Sequence, residues 1–330
     1  MKKSKSTIEE IISQARFTDG DIKQPIPLIT IQGKVILTES NFLTISGLPK
    51  SRKTSFMQFF IASGIIKKSI HGIQCTLSKD DKIVLIDTEQ SIFDFAKQNK
   101  FLKKLISSNK LPSNFSAYLF REYDPEIILN SIYLICEQEQ PKIIFIDNLT
   151  ELAINPNDIA EAKKIIQFLK MITAKFNVGI VCLLHLAKSN NFTLGNLGSY
   201  ADRAAQSVLK VTLDKESDTS TLDALMLRSD AHFNPITIQY NTESKMYEEI
   251  DYKPPDASKR AKFSMDDFTP SDIKSRMQIL WEMQTEYTYS PLVENLKKIW
   301  GVGDTKVKQI IIPYLMSKKH LKVKDKIYKQ

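Results

Sequence analysis

The sequence predicts an α/β protein: a mostly parallel β-sheet flanked by helices, followed by a small α+β domain. Three observations support this fold class. Apolar strand-like runs alternate with helical segments over residues 42–184, and three helical patterns follow after residue 270. The length of 330 residues favours one large domain and one small one. Strands that are apolar throughout and alternate with helices are typical of parallel sheets covered on both faces.

The first 27 residues are predicted to form a helix and an extended arm. The helix is expected over residues 6–16, where Ile8, Ile11 and Ile12 share one face. The arm follows because Gly and Pro recur up to residue 27.

The main domain is predicted over 28–251. It opens with a hairpin over 28–37 that turns near Gly33. Five strands follow, at Phe42–Ser46, Ile83–Asp87, Ser116–Phe120, Ile143–Asp147 and Val178–Leu184. Four helices lie between them, at Thr54–Ile66, Ser91–Ser107, Asp124–Glu137 and Ile159–Phe176. Three later strands are expected to extend the sheet antiparallel at one edge: Val208–Leu213, Leu222–Arg228 and Ile236–Tyr240.

The composition excludes several classes of protein. With 42% hydrophobic and 25% charged residues, the chain is too apolar to be mostly disordered. No apolar run approaches the roughly 18–20 residues of a membrane helix, and the N-terminus lacks the apolar core of a secretory signal. We therefore expect a cytoplasmic protein without a membrane partner. Cys75, Cys136 and Cys182 are predicted to be buried, reduced thiols, since no zinc-ligand or disulfide spacing is present.

One segment has the spacing of a phosphate-binding loop. Gly47-Leu48-Pro49-Lys50-Ser51-Arg52-Lys53-Thr54 lies between a predicted strand and a predicted helix, and it matches G-x-x-x-x-G-K-[ST] except at Arg52. In such a loop Gly47 permits a sharp turn, Lys53 bridges the β- and γ-phosphates, and the Thr54 hydroxyl ligates Mg²⁺. A chance match is the alternative. Arg52 either points away from the phosphates or adds a charge contact to them.

Two acidic strand ends complete the predicted site. Asp147 ends an apolar strand in the way a Walker B strand does, where it can support Mg²⁺ through the water shell of the ion. Glu89 follows another strand end and can orient the attacking water. A capping or surface role is the alternative for Glu89. The predicted nucleotide-binding residues are Gly47, Leu48, Pro49, Lys50, Ser51, Arg52, Lys53, Thr54, Ser55 and Asp147.

Two further residues are candidates for sensing or completing the reaction. His185 ends an apolar strand and would lie near the γ-phosphate, with an ordinary core or surface histidine as the alternative. Arg228 ends a later strand and is a candidate arginine finger for a neighbouring subunit, with an ordinary ion-paired arginine as the alternative. Between them, residues 188–206 are predicted to form a long functional loop.

Taken in order, these motifs resemble those of RecA-fold ATPases, and most of all the hexameric RepA and DnaB-type replicative helicases of plasmids and mobile elements. The similarity rests on GLPKSRKT, IDTEQS, IIFIDN, LLHLAKSNN with LGSYADRAAQSVLKV, and LRSDAHFNPITIQYN, and it covers roughly residues 25–250. The resemblance implies ATP and Mg²⁺ as cofactors, Glu89, Lys53, Arg228 and His185 as catalytic residues, and a homo-oligomer, either a hexameric ring or a filament.

The last quarter of the chain carries most of the excess positive charge. Residues 253–330 account for +7 of the net charge of +8. A linker is predicted over 252–270, and residues 271–330 show three helices and a basic β-like end, the order of a winged helix. Asp304 is expected to cap its third helix. The alternatives are a solvated surface and a winged helix that binds only protein.

We therefore expect a DNA-binding ATPase, a helicase or related motor acting on single- or double-stranded DNA. The predicted DNA contacts are Lys188, Arg203, Thr305, Lys306, Lys308, Lys322 and Lys324. Two other functions stay open. One is a nucleotide-gated DNA-binding regulator or loader with little ATP turnover, and the other is a small-molecule or nucleoside kinase, which would leave the basic C-terminus unexplained.

Overall fold

The structure is a computed structural model, and it describes residues 5–17, 20, 24–186, 193, 195–251, 264–265, 268–324 and 326–329. The chain divides into two compact units, residues 1–251 and residues 252–330, and each is described here by itself. Among the residues described, no helix combines the length and the apolar character that a membrane span requires.

The first unit is an α/β structure. Its helices are α1 (Lys5–Ala15), α2 (Lys53–Ile66), α3 (Ile92–Leu105), α4 (Pro125–Glu139), α5 (Ile159–Phe176) and α6 (Gly195–Ala204). Its strands are β1 (Pro27–Ile31), β2 (Lys34–Thr38), β3 (Phe42–Gly47), β4 (Ile73–Cys75), β5 (Ile83–Asp87), β6 (Phe115–Leu119), β7 (Ile143–Asp147), β8 (Gly179–His185), β9 (Ser207–Asp214), β10 (Thr219–Leu227), β11 (Ile236–Asn241) and β12 (Met246–Glu249). The five strands and four helices predicted over 42–184 are present, with ends within two residues of the prediction.

A nine-stranded sheet forms the centre of this unit, in the order β12-β11-β10-β9-β3-β8-β7-β5-β6. The six strands from β9 to β6 run parallel, and β10, β11 and β12 are added antiparallel at one edge. The sequence prediction was wrong about β9, which it placed among the antiparallel strands. Because α6 carries the chain back across the sheet, β9 starts from the same end as β3 and runs parallel to it.

Helices cover both faces of the sheet, as the sequence predicts. Alternate residues of β7 point to opposite faces: Ile143 and Phe145 pack in a core beneath α2 and α3, while Ile144 and Ile146 pack in a second core beneath α4, α5 and α6. Every residue of β7 is buried. This double burial explains why the strand is apolar throughout.

The N-terminal helix and the hairpin are confirmed, while residues 18–19 and 21–23 of the predicted arm lie outside the described part of the chain. Helix α1 forms, and Ile8, Ile11 and Ile12 are exposed on it. The hairpin β1–β2 turns through Gln32 and Gly33, which both have positive φ, the geometry that a two-residue hairpin loop favours. With β4 it forms a separate three-stranded sheet, a pairing that the sequence analysis did not predict. The three cysteines are buried free thiols, as expected.

The predicted long loop over 188–206 is partly wrong, because helix α6 occupies most of its second half. The prediction failed since α6 contains Gly195 and Gly198 and buries few apolar side chains, among them Leu197 and Ala201. Residues 187–192 and 194 lie outside the described part of the chain.

The second unit is a small α+β structure. Its elements are α7 (Pro270–Met283), β13 (Glu286–Tyr287), α8 (Tyr289–Trp300), α9 (Asp304–Lys306), a π-helical segment (Val307–Ile311), α10 (Ile312–Ser317), β14 (Lys322–Lys324) and β15 (Ile327–Lys329). The three predicted helical regions are confirmed, with α9, the π-helical segment and α10 following one another without a break. The strands pair antiparallel in the order β13-β15-β14, and β13 was not predicted.

A compact apolar core holds the three helical regions of the second unit together. Leu280, Leu292, Leu296 and Leu315 are fully buried in it, and Trp300 is nearly so. Most of the predicted linker over 252–270 lies outside the described residues, and α7 begins at Pro270, the last residue of that range.

The capping role predicted for Asp304 is wrong. Gly303 occupies the N-cap position of α9, and the Asp304 carboxylate forms ion pairs with Lys297 and Lys308 at 2.8 and 2.9 Å. Asp304 lies one residue inside the helix, past the position from which a side chain caps it, so its carboxylate pairs with the two lysines instead.

Candidate functional site

The candidate site lies where four neighbouring parallel strands end. The loop after β3, and the carboxyl ends of β5, β7 and β8, meet around a cavity of about 240 Å³. Carboxyl ends of strands in an open α/β sheet are the usual place for a ligand. The residues that line this cavity are Lys50, Ser51, Arg52, Lys53, Thr54, Glu89, Asp147 and His185. The sequence analysis named all eight.

The turn out of β3 depends on Gly47. A β-carbon at this position would lie 2.5 Å from the Ser51 hydroxyl oxygen and 2.7 Å from the Val211 carbonyl oxygen, both closer than real β-carbon contacts. The Ser51 hydroxyl is buried and has no hydrogen-bond partner among the described residues. A buried hydroxyl without a partner costs free energy, and a polar group or water placed beside it would recover that cost.

Arg52 adopts a backbone conformation that suits the glycine usually found at this position. Its φ and ψ are 71° and 27°, in the left-handed region, and Lys50 also has a positive φ of 65°. The Arg52 guanidinium turns away from Lys53: it forms an ion pair with Asp218, donates to the Asp218 carbonyl at 2.8 Å and lies 5.2 Å from the centroid of the Tyr247 ring. These contacts favour the first of the two alternatives left open by the sequence, in which Arg52 points away from the phosphates.

Lys53 is buried at the start of α2, with 6% of its surface exposed. Its ammonium donates to the carbonyls of Gly47 and Leu48 at 3.0 and 3.2 Å, and it lies 3.1 Å from Nδ1 of His185. Burial lowers the pKa of Lys53, and the nearby carboxylates of Asp147 and Glu89 oppose that shift. The cation is therefore placed within the cavity by short contacts on several sides.

Thr54 and Asp147 bring two oxygen donors together. The Thr54 hydroxyl donates to Oδ2 of Asp147 at 2.8 Å. Burial raises the pKa of Asp147 to about 7, and the neighbouring Asp87 adds to this. A buried carboxyl with a raised pKa gains from a nearby cation, and a hydroxyl with a carboxylate is the partial oxygen set that Mg²⁺ shares with phosphates and waters. Within the described residues no group of three or more His, Cys, Asp or Glu could hold a metal by itself.

Glu89 is held by two side chains from neighbouring strands. Nδ2 of Asn148 donates to its Oε1 at 2.8 Å, and Nε2 of His185 lies 2.8 Å from the same oxygen. Because the Lys53 ammonium can only donate, Nδ1 of His185 accepts, and Nε2 carries the proton that binds Glu89. The hydrogen bond from His185, followed by that from Asn148, holds the pKa of Glu89 below its ordinary value although burial opposes it. Glu89 is therefore ionised at neutral pH.

The sequence analysis missed the residues that fix the turn carrying Glu89. Asp87 is buried and accepts hydrogen bonds from the backbone amides of Glu89 and Gln90, at 3.0 and 2.8 Å, and from the Gln90 side chain at 2.6 Å. Thr88 and Asn148 tie the ends of β5 and β7 together, since the Thr88 hydroxyl donates to the Asn148 carbonyl and accepts from the Asn148 amide. Each of these residues adjoins a predicted site residue, and that adjacency was the available signal.

No family model matches this sequence, and no curated protein matches it. The geometry of the site therefore carries the functional argument.

Arg228 lies outside this cavity, at the opposite end of the sheet. It directly follows β10, whose last residue pairs with Ser207, and Ser207 pairs with Leu43 near the start of β3. Its guanidinium donates to the carbonyl of Arg203 at 3.4 Å, and it forms no ion pair with the carboxylates that the structure describes. The ion-paired alternative is therefore not seen, and Arg228 cannot reach the loop after β3 in its own chain.

The predicted DNA contacts are distributed over both units. Lys188 lies outside the described residues, and Arg203 is exposed near the end of α6. In the second unit Thr305, Lys306 and Lys308 are exposed at the start of the third helical region, and Lys322 and Lys324 are exposed on β14. The ion pair of Lys308 with Asp304 partly neutralises it.

Proposed function

We propose that this protein binds and hydrolyses a nucleoside triphosphate, with ATP as the expected nucleotide. One observation carries the proposal: Lys53, the Thr54–Asp147 pair and the ionised Glu89 surround the same cavity although they come from three different strand ends. A buried cation, an oxygen set suited to Mg²⁺ and a fixed carboxylate are the groups that phosphoryl transfer to water requires.

In this proposal Lys53 exchanges its contacts with the loop carbonyls for contacts with the β- and γ-phosphates. Thr54 and Asp147 would hold Mg²⁺, which supplies neutralising charge to the phosphates. Glu89 orients and polarises the attacking water, and Asn148 keeps its carboxylate in place. His185 touches both Lys53 and Glu89, so a change at the γ-phosphate that moves Lys53 reaches Glu89 through one side chain. This is the property expected of a γ-phosphate sensor.

The architecture supports the finer proposal that the first unit is a RecA-like ATPase and the second a winged helix that binds DNA. The large, mostly parallel sheet is compatible with the former. In the second unit the order helix, strand, helix, helix and two-stranded hairpin is that of a winged helix. We accordingly propose a motor of the RepA and DnaB helicase type, acting on the DNA of a plasmid or mobile element.

A homo-oligomer belongs to the same proposal, as a hexameric ring or a filament. The cations that line the cavity of one chain are Lys50, Lys53 and Arg52, the last of which is paired with Asp218, while Arg228 is exposed at the far end of the sheet. An arginine that completes the site of a neighbouring subunit has to lie away from its own nucleotide, and the position of Arg228 meets this requirement.

The test is ATP turnover with and without single- and double-stranded DNA. We expect DNA to raise the turnover of the wild type, and Lys53→Ala to abolish turnover, because the variant loses the cation that contacts the phosphates. Lys68→Ala, at an exposed position just after α2, is the matched control and is expected to retain the wild-type rate.

Two results would replace this proposal. Tight ATP retention without DNA-stimulated turnover would indicate a nucleotide-gated regulator or loader instead of a motor. Transfer of the γ-phosphate to a small acceptor, with no release of inorganic phosphate, would indicate a kinase.

A further inference from the structure

A row of exposed cations runs along one face of the first unit, over α5, α6 and the end of β10. The side chains are Lys163, Lys170, Arg203 and Arg228. Among the described residues none of them forms an ion pair. Other cations, such as Lys142 and Lys297, have carboxylate partners that neutralise them in part.

Two local features connect these cations into one surface. The Tyr200 ring has the Lys163 ammonium 5.8 Å and the Arg203 guanidinium 5.9 Å from its centroid, so one aromatic side chain positions two positive charges. Beyond Arg203, a cavity of about 290 Å³ is lined by Lys170, Arg203 and Arg228. The polar residues Ser40, Asn41 and Thr173 line it as well, and the cavity has no carboxylate in its lining.

Like charges that share a small cavity repel one another, and a bound anion relieves that repulsion. A single anion would need only the cavity, but the row continues past Arg203 to Tyr200 and Lys163. A row of cations matches a ligand that carries charges at regular intervals, as a sugar-phosphate backbone does.

We propose that this α5–α6 face binds the backbone of a single-stranded nucleic acid. The strand would place one phosphate in the Lys170–Arg203 cavity and others along the row toward Lys163. A flexible single strand can bend to bring successive phosphates to a cavity and to the helices beside it, whereas a duplex holds its phosphates in a rigid arrangement. The face offers cations and one aromatic ring, so binding is expected to be independent of sequence. The inference extends the proposed function, because it locates the track on which the motor would move.

The test is the salt dependence of oligonucleotide binding. Fluorescence anisotropy with a labelled oligothymidylate is measured over a range of salt concentrations for the wild type and for the triple variant Lys163→Ala/Lys170→Ala/Arg203→Ala. Arg228 is left unchanged, since it belongs to the proposed catalytic machinery. Each lost phosphate contact lowers the slope of log K against log[salt] by about 0.7 for a single strand, so we expect a slope smaller by about 2.

The control removes the same charge from the opposite face of the sheet. Lys97, Lys100 and Lys110 are exposed on and just after α3, and their triple alanine variant is expected to keep the wild-type slope. The comparison is repeated in a Lys322→Ala/Lys324→Ala background, so that contacts made by the second unit do not mask the difference.

Three results would overturn the inference. One is an unchanged slope in the α5–α6 variant, and another is an equal loss in the control variant. The third is an α5–α6 variant that binds oligothymidylate as the wild type does but has reduced ATP turnover in the absence of nucleic acid. That result would assign these cations to the nucleotide of a neighbouring subunit.

If a duplex binds the wild type more tightly than the single strand does, and the α5–α6 variant lowers its slope of log K against log[salt] by the same amount, the duplex replaces the single strand as the ligand. ATP turnover of the wild type is measured separately: if it is absent while the slope changes as expected, the proposed function fails and this surface stands.

Discussion

The candidate site and the α5–α6 face use charge in opposite ways. In the site, Lys53, Asp147 and Glu89 are each bonded to other side chains or to the backbone, and Asp147 is almost fully buried. On the face, Lys163, Lys170 and the other cations are exposed, without ion pairs among the described residues. Bonded, buried charges hold a few atoms in fixed positions for chemistry, while exposed, unpaired cations favour a long anion whose position along the row is not fixed.

Among the substitutions that test this comparison, the one at Glu89 is expected to have the largest effect, on ATP turnover. Glu89→Gln keeps the size of the side chain but removes the charge that orients water, so we expect ATP turnover to fall by about 10²–10⁴-fold. The affinity for a fluorescent ATP analogue is expected to stay close to the wild-type value. Glu126→Gln, at an exposed position in the first turn of α4, is the control. Normal turnover in Glu89→Gln would remove the catalytic assignment of Glu89.

A second change tests whether the bonded network sets the charge of Glu89. The hydrogen bond from His185 is the largest cause of the lowered pKa of Glu89, while burial acts in the opposite direction. In His185→Ala the carboxyl therefore takes up a proton at a higher pH, and the acid limb of kcat/KM for ATP moves to higher pH. His232→Ala, at an exposed position outside the site, should leave the limb in place. A limb that does not move in His185→Ala would show that another group titrates.

A third comparison concerns the loop itself. At position 52 glycine adopts a φ of 71° without strain, whereas alanine retains the strain. Both variants lack the contacts of arginine with Asp218 and Tyr247, so strain is the difference between them. We expect Arg52→Gly to have a free energy of unfolding about 1 kcal/mol higher than that of Arg52→Ala, measured by urea denaturation. Equal stabilities would mean that the left-handed conformation is not kept in the variants.

The smallest effect is expected on the α5–α6 face. Since its cations are exposed and unpaired among the described residues, the Lys163→Ala/Lys170→Ala/Arg203→Ala variant should unfold within about 0.5 kcal/mol of the wild type for each substitution. Urea denaturation monitored by circular dichroism provides the measurement. A larger loss would show that these side chains support the fold and would weaken the contrast between the two regions.

Local patterns predicted most of the fold. The strands at 83–87 and 143–147 have the predicted bounds because a continuous apolar run that ends in Asp marks both the buried strand and its end. Helix α6 was missed because Gly195 and Gly198 weaken the helical pattern, and its stability comes from packing against the rest of the chain. The direction of β9 was missed for the same reason, since it depends on that helix.

The residue types of the candidate site were also readable, but not their partners. The motifs place Lys53, Asp147 and Glu89 at strand ends, and parallel strands bring such ends together. The contact of Arg52 with Asp218 joins residues 166 positions apart, and no local pattern encodes it. Asn148 is similar: its neighbour Asp147 marks the strand end, but its hydrogen bond to Glu89 depends on the order of β5 and β7 in the sheet.

Strand β10 connects the loop at Arg52 with Arg228 at the opposite end of the sheet. Asp218, which holds Arg52, directly precedes β10, and Arg228 directly follows it. The nine residues of β10 span about 30 Å in extended form. Strand β9 pairs with β10 along its length, with one irregularity between Ala224 and Met226, and β11 pairs with Thr219–Leu222. Pairing with neighbouring strands restricts the bending of β10, so a movement at one end of the strand is felt at the other. In the proposed homo-oligomer, a displacement of the loop at Arg52 would be transmitted along β10 to Arg228, beside the neighbouring subunit.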